Sequence, residues 1–292
     1  MKRRPLEETI LALRRVRQAP EAEASRRELR EVLGGEGSHA VARAATLVGE
    51  LGLEALVPDL VASLPRFFDD PVRADPGCAA KTAIVEALRR LEQDERALYR
   101  RAVAHVQMEP VFGGRVDTAA DLRGAAALAL AESAGGDVLV DLAHLLADPE
   151  APVRVSAARA VAVHGREGGI PLLHLKALAG DVEPRVVSEC LLSLLRLDPE
   201  NALPFVASFF DRGDAAAEAA AIALGESRQA EALPLLRGWL DRASRRGLAR
   251  EALSALASVD GGDALYGRAK AVVEARPELK DALARAFGRN SP

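Results

Sequence analysis

Aromatic side chains are scarce: they make up 3% of 292 residues, with 7 Phe, 2 Tyr and 1 Trp, although 49% of the chain is apolar. A core without large rings has to be filled by Ala, Leu and Val, which favours thin, closely stacked helices over a thick sandwich or barrel. Cysteine is nearly missing. Cys78 and Cys190 are too few and too far apart for a disulfide framework or a thiolate metal site, so a reducing, cytoplasmic setting is the expectation. Long apolar runs are missing too: Gly124 to Ala131 is closed off by Arg123 and Glu132, so no membrane span follows. After Lys2, Arg3 and Arg4 the apolar stretch runs only from Ile10 to Leu13, too short for a signal-peptide core, and export is not expected. With 39 basic and 43 acidic residues the net charge is −4, which gives no electrostatic reason to expect a nucleic-acid or anionic-membrane partner.

What the chain does contain is a repeat. Leu122, Val153, Val186, Ala216 and Leu248 follow one another at steps of 31, 33, 30 and 32 residues, and Val41 and Ala80 open the same pattern upstream. Four residues after these anchors stand Ala45, Ile84, Ala126, Ala157, Cys190, Ala220 and Ala252. Eight after stand Gly49, Leu88, Leu130, Val161, Leu194, Leu224 and Leu256. Positions i, i+4 and i+8 share one helix face. The first of these columns is almost entirely small, which lets neighbouring helices approach closely. Cys190 belongs to that column and reads as a small buried apolar group, since no His, Lys or Arg occupies the four residues before it.

Pro58, Pro171, Pro204 and Pro234 fall 17, 18, 18 and 18 residues after their anchors. Proline suits the first turn of a helix, where its missing N–H has no intrahelical acceptor, so each marks the start of a second helix. Every unit is then a helix, a turn and an antiparallel helix, with no strand-like alternation. Asp75, Asp117, Asp148, Asp181 and Asp211 sit five residues before their anchors, and Lys81, Arg123 and Arg154 follow the first three anchors directly. The clearest copy is Asp148-Pro-Glu-Ala-Pro-Val-Arg-Val-Ser-Ala-Ala-Arg-Ala-Val161. This pattern resembles the HEAT repeat, in the short Ala-rich version also called phycobilisome-lyase-type. The resemblance implies an all-α, right-handed superhelical solenoid of stacked antiparallel helix pairs. It also implies a ladder in which Asp117, Arg123, Asp148 and Arg154 hydrogen-bond between successive repeats, interrupted where Val187, Ala217 and Ala249 replace the basic residue. The domain reading is a single solenoid over 1–292: capping helices in 1–37, about seven repeats in 38–275 and a capping helix in 276–292. One helix pair cannot bury its own apolar stripe, so repeats must stack and the ends need polar caps.

The steps from Val41 to Ala80 and from Ala80 to Leu122, 39 and 42 residues, are too long. The extra residues lie in Pro65 to Gly77 and in Met108 to Ala120, each after a second helix, where a solenoid sets such connections side by side. Phe67, Phe68 and Phe112 lie within them, and two readings stand: a ligand-binding lip, or rings folded back to cover an edge. His105, Gln107, Glu109, Asp117, Asp121 and Arg123 form the densest cluster of chemically capable side chains, with Asp117 and Arg123 already claimed by the ladder.

Several motifs exclude themselves. Gly35-x-Gly37-x-x-Ala40 fits a dinucleotide fingerprint by letter but follows a helical segment, so it reads as a helix end and linker. No Gly-Lys dipeptide exists for a P-loop, and none of the five histidines precedes a Glu, so the His-Glu dyads of di-iron hydroxylases built on HEAT repeats are absent. The basic, aromatic-lined cleft of HEAT-like DNA glycosylases is missing as well, and Trp239 falls in the column of Leu145 and Phe209, where packing accounts for it. No metal or cofactor is expected. The functional expectation is a non-catalytic scaffold for a protein or peptide partner, with contacts from Arg43, Lys81, Ser156, Arg159, Glu189 and Glu251 on the anchor helices and from the two insertions. The family resemblance implies an alternative, a bilin-lyase-like or other small-ligand-handling enzyme with a site around the 105–123 insertion.

Overall fold

A computed structural model describes residues 6–133, 137–212, 214–243, 250–259, 262–274 and 276–288. The anchor Leu248 and the side chain of Glu251 lie outside the described residues. The chain divides into two compact units between Val163 and His164.

In the first unit, α1 (Leu6–Gln18) and α2 (Glu23–Leu33) precede α3 (Ser38–Glu50) and α4 (Val57–Ser63). A short α5 (Pro71–Ala74) leads into α6 (Ala79–Arg90) and α7 (Arg96–Val103). Two strands follow, β1 (Met108–Val111) and β2 (Gly114–Asp117), then α8 (Ala120–Glu132), α9 (Leu139–Leu145) and α10 (Ala151–His164). The second unit holds α11 (Gly169–Ala179), α12 (Pro184–Leu197), α13 (Pro199–Ser208), α14 (Asp214–Ser227), α15 (Ala232–Ala243), α16 (Arg250–Ala257), α17 (Gly262–Glu274) and α18 (Lys280–Ala286).

The anchor helices stack on one another, α3 on α6 and α6 on α8 in the first unit, α12 on α14 and α14 on α16 in the second. Each leans on a companion as well: α7 on α8, α11 and α13 on α12, α15 on α14 and α17 on α16. The small-residue column explains the fit, since Ala45, Ile84, Ala126, Ala157, Cys190, Ala220 and Ala252 are all fully buried. The closest approach is at Gly225, where an added Cβ would meet the backbone of Ala255 at 2.6 Å. Trp239 is core, stacked on Phe210 with ring centroids 5.8 Å apart. The chain is therefore all-α apart from one two-stranded hairpin, and each unit is a stack of helix pairs.

Two local expectations are corrected. The proline column predicts a helix start at Pro204, but α13 begins a full turn earlier and carries Pro204 in its interior. Pro199 occupies the first turn and the Asp198 carboxylate accepts the Asn201 N–H, which is a better start than Pro204 offers. Second, Met108 to Asp117 is an antiparallel hairpin, pairing Met108 with Asp117 and Val111 with Gly114. Gly113, at φ +87°, supplies the left-handed backbone of its turn. Neither face of the hairpin is buried along its length, so it leaves no period-two hydrophobic signal to read.

Candidate functional site

The two insertions touch. The first leaves α4 through a 3-10 turn over Pro65–Phe68, passes α5, and re-enters the repeat at Asp75. Asp75 is fully buried. Its carboxylate accepts the N–H groups of Ala80 and Lys81 at 2.9 and 3.0 Å, satisfying the first turn of α6, and pairs with Lys81 Nζ at 3.1 Å. Lys81 Nζ also donates to the Phe67 carbonyl at 3.0 Å, which pins the insertion onto α6. Lys81, an expected partner contact, is thus turned inward and has no exposed surface.

The second insertion is tied to the first through Gln107 and Glu109. Gln107 is buried; its Nε2 donates to the Asp75 carbonyl at 2.9 Å and to Glu109 Oε1 at 2.6 Å, and its Oε1 accepts from Cys78 Sγ at 3.2 Å. His105 Nε2 lies 3.1 Å from the same Oε1. Glu109 Oε1 further accepts the Gly77 N–H at 2.6 Å and the Thr118 hydroxyl at 2.8 Å. These donors, led by Gly77, hold the Glu109 carboxyl below its ordinary range. Burial works against ionisation of Asp117, but the N–H groups of Ala119 and Gln107 and the Arg123 guanidinium outweigh it, so its carboxyl also sits low. Burial pushes the His105 imidazole down and the Cys78 thiol up to about 11. Both therefore stay neutral near pH 7.

Arg123 closes the network. It donates to Asp117 at 2.7 Å, to the His105 carbonyl at 3.0 Å and through two bonds to Asp148, while Arg154 donates to the carbonyls of Asp148 and Pro149, each at 2.8 Å. In the second unit Lys176 bonds Asp181 at 2.8 Å, so this carboxylate draws a cation from α11. Asp117, Asp148 and Asp181 each also accept the N–H two residues on, at Ala119, Glu150 and Glu183, which is why aspartate precedes these helices.

The remaining candidates are dispersed. Phe67 is core beneath the Arg66 guanidinium, and Phe68 is half-buried, edge-on to His105 at 5.0 Å. Phe112 is fully exposed, at 108%, on the hairpin turn. Asp121 stands exposed in the first turn of α8, and Arg159 is exposed on α10. Glu189 is corrected as an exposed contact: it is 7% exposed within α12 and lies 3.7 Å from Arg196. Arg101, which lies over the Phe68 ring at 4.3 Å, escapes the sequence reading, and the buried Cys78 enters it only as one of two isolated cysteines, because neither falls in a repeat column or a motif. Among the described residues no group of His, Cys, Asp and Glu is arranged to hold a metal ion, and no helix is long and apolar enough to cross a membrane.

No known protein-family model matches the chain, and no curated protein matches it. Among solved structures it is similar to human deoxyhypusine hydroxylase in complex with glycerol, with 16% identity over 92% of each chain and a TM-score of 0.33.

Proposed function

We propose that the protein is a non-catalytic HEAT-repeat scaffold for a protein or peptide partner, with the tip of the β1–β2 hairpin as one of its contacts. A single contrast carries this reading. The chemically capable side chains of 105–123 are largely spent on one another: Gln107, Glu109, Asp117 and Arg123 bond within the network, and His105 faces Gln107. At the same time Val111, Phe112 and Val116 are turned to solvent. Exposed apolar groups on a stalk braced by buried bonds lose little freedom when a partner covers them, which suits a recognition element. We further read α3 to α17 as the seven repeats, with caps in 1–37 and 276–292, of the phycobilisome-lyase-type HEAT class. The free thiols of Cys78 and Cys190 support a reducing, cytoplasmic setting.

The test places a photo-crosslinking amino acid at Phe112 in the native cell. The expected result is a discrete adduct that disappears when Val111 and Val116 are both changed to Ser, with the thermal melt unaltered. An adduct pattern matching that of a crosslinker at exposed Arg73 would reject the reading. The bilin-lyase-like alternative draws on one observation, the ring pair of Phe68 and His105 with Arg101 over the outer ring. An absorption band from bound pigment in the purified protein would favour it instead.

A further inference from the structure

We propose that the groove between α1 and α3 docks an acidic segment of a partner protein, one whose carboxylates flank an apolar side chain. Arg14 and Arg17 line this groove from α1 and Arg43 from α3, over a floor of Leu13, Ala42 and Leu47, and among the described residues no acidic one lines it. Arg14 and Arg17, three apart, share one face of α1. Arg17 is tethered to Glu50, but Arg14 and Arg43 are exposed and make no ion pair or hydrogen bond with any described residue. A second groove in the same unit shows the difference. It sets Arg89 and Arg90 beside Glu92, Asp94 and Glu132, and Arg89 bonds Glu132 at 2.8 Å, so its charge is answered internally.

The α1–α3 groove thus keeps a cationic surplus on a chain of net charge −4. Guanidinium groups bind carboxylates through paired N–H donors, which gives acidic side chains both energy and orientation there. The apolar floor selects against a bare anion. Three arginines without an aromatic platform also do not form the basic, base-stacking track a nucleic acid needs. Each helix has 13 residues, about 20 Å of length, which accommodates roughly six residues of extended chain or a few helical turns.

The probe is a fluorescein-labelled decapeptide of alternating glutamate and leucine pairs, followed by fluorescence anisotropy with the full chain. Saturable binding is expected that weakens roughly tenfold in Arg14→Glu/Arg43→Glu, weakens comparably when glutamine replaces glutamate in the peptide, and falls as salt rises. Arg73→Glu, an exposed charge change elsewhere, should leave it unaltered, and thermal melts establish that both variants fold. Absence of saturable binding, equal affinity in the double variant, or equal affinity for the glutamine peptide overturns the proposal, as does displacement of the peptide by an equal concentration of inorganic phosphate. The site is independent of the hairpin: Phe112→Ser should leave peptide binding intact, so failure here and failure at the hairpin are told apart.

Discussion

Arg123 grips Asp148 through two parallel bonds, Nε to Oδ2 at 2.8 Å and Nη2 to Oδ1 at 2.9 Å, while its remaining nitrogen holds Asp117 at 2.7 Å. One guanidinium, 2% exposed, therefore neutralises two carboxylates across the turn into α8 and the turn into α10. Removing it leaves both carboxylates without a countercharge in a site that excludes water. Arg123→Ala is expected to cost about 3–5 kcal/mol. The measurement is the urea midpoint at unchanged slope. Arg123→Lys keeps the charge but not the fork, and should still lose about 1–3 kcal/mol. An Ala variant as stable as the parent would mean that the network is decoration.

Glu109 is the knot between the insertions, because one oxygen accepts from Gly77, Gln107 and Thr118. Glu109→Ala should loosen the hairpin against the first insertion, leaving the Gln107 bonds to Asp75 and Cys78 between them, without unfolding the helices, since no helix core residue depends on Glu109. Hydrogen exchange would then show faster exchange at Gly77 and across 107–119, with protection in α6 and α8 retained. Uniform loss of protection would place Glu109 in the global fold instead.

The helices were open to sequence reasoning because the pattern recurs at each anchor, and a column that holds Ala45, Ala126, Ala157, Cys190, Ala220 and Ala252 has no cheaper explanation than a packed face. At Asp117, Asp148 and Asp181 the aspartate column carries its own chemistry, through the N–H two residues on. What the pattern hides is local. A column assigns Lys81 to a helix face but says nothing of the Phe67 carbonyl that an insertion folds over it. Pro204 looks like its counterparts until Asp198 and Pro199, which lie outside the column, are seen to start the helix first. The hairpin escapes for another reason: exposed on both faces, it has no buried side to print an alternation. Gln107 is the hardest case, since its role depends on Asp75, Cys78 and Glu109 meeting across two insertions.

The same network sets a pH dependence. Asp117 and Glu109 ionise below their ordinary values of 3.8 and 4.5 in the folded protein. A carboxylate held low contributes its full stability above the unfolded value and loses it as pH falls through the folded one. His105, pushed below its ordinary 6.5 by burial, acts in the same direction and begins higher. Stability should therefore be flat from neutrality to about pH 8, decline gently below pH 6.5 and steeply below about 4, and decline again in alkali, where the unfolded chain ionises a thiol that burial keeps protonated at Cys78. Melting temperatures measured across this range check the shape. Asp117→Asn should flatten the acid limb, and an acid limb of the same steepness in that variant would assign the loss to other carboxylates.

Gly225 and Gly238 make opposite predictions from the same substitution. Both lie inside helices, where Gly→Ala ordinarily gains up to about 1 kcal/mol in helix propensity. At Gly238 an added Cβ meets nothing within 4 Å, so Gly238→Ala should stabilise by about 0.4–1 kcal/mol. At Gly225 the Cβ would sit 2.6 Å from the carbonyl carbon, oxygen and Cβ of Ala255, atoms of α16 that no rotamer change can move. The helices would have to separate, and Ser258 Oγ, which donates to the Gly225 carbonyl at 3.1 Å, would be drawn away with them. Overpacking of this kind typically costs about 1–3 kcal/mol, more than the propensity returns. Gly225→Ala should accordingly lower the urea midpoint while Gly238→Ala raises it. If both raised it, α14 and α16 would not be in the close contact on which the stacking of these helices depends.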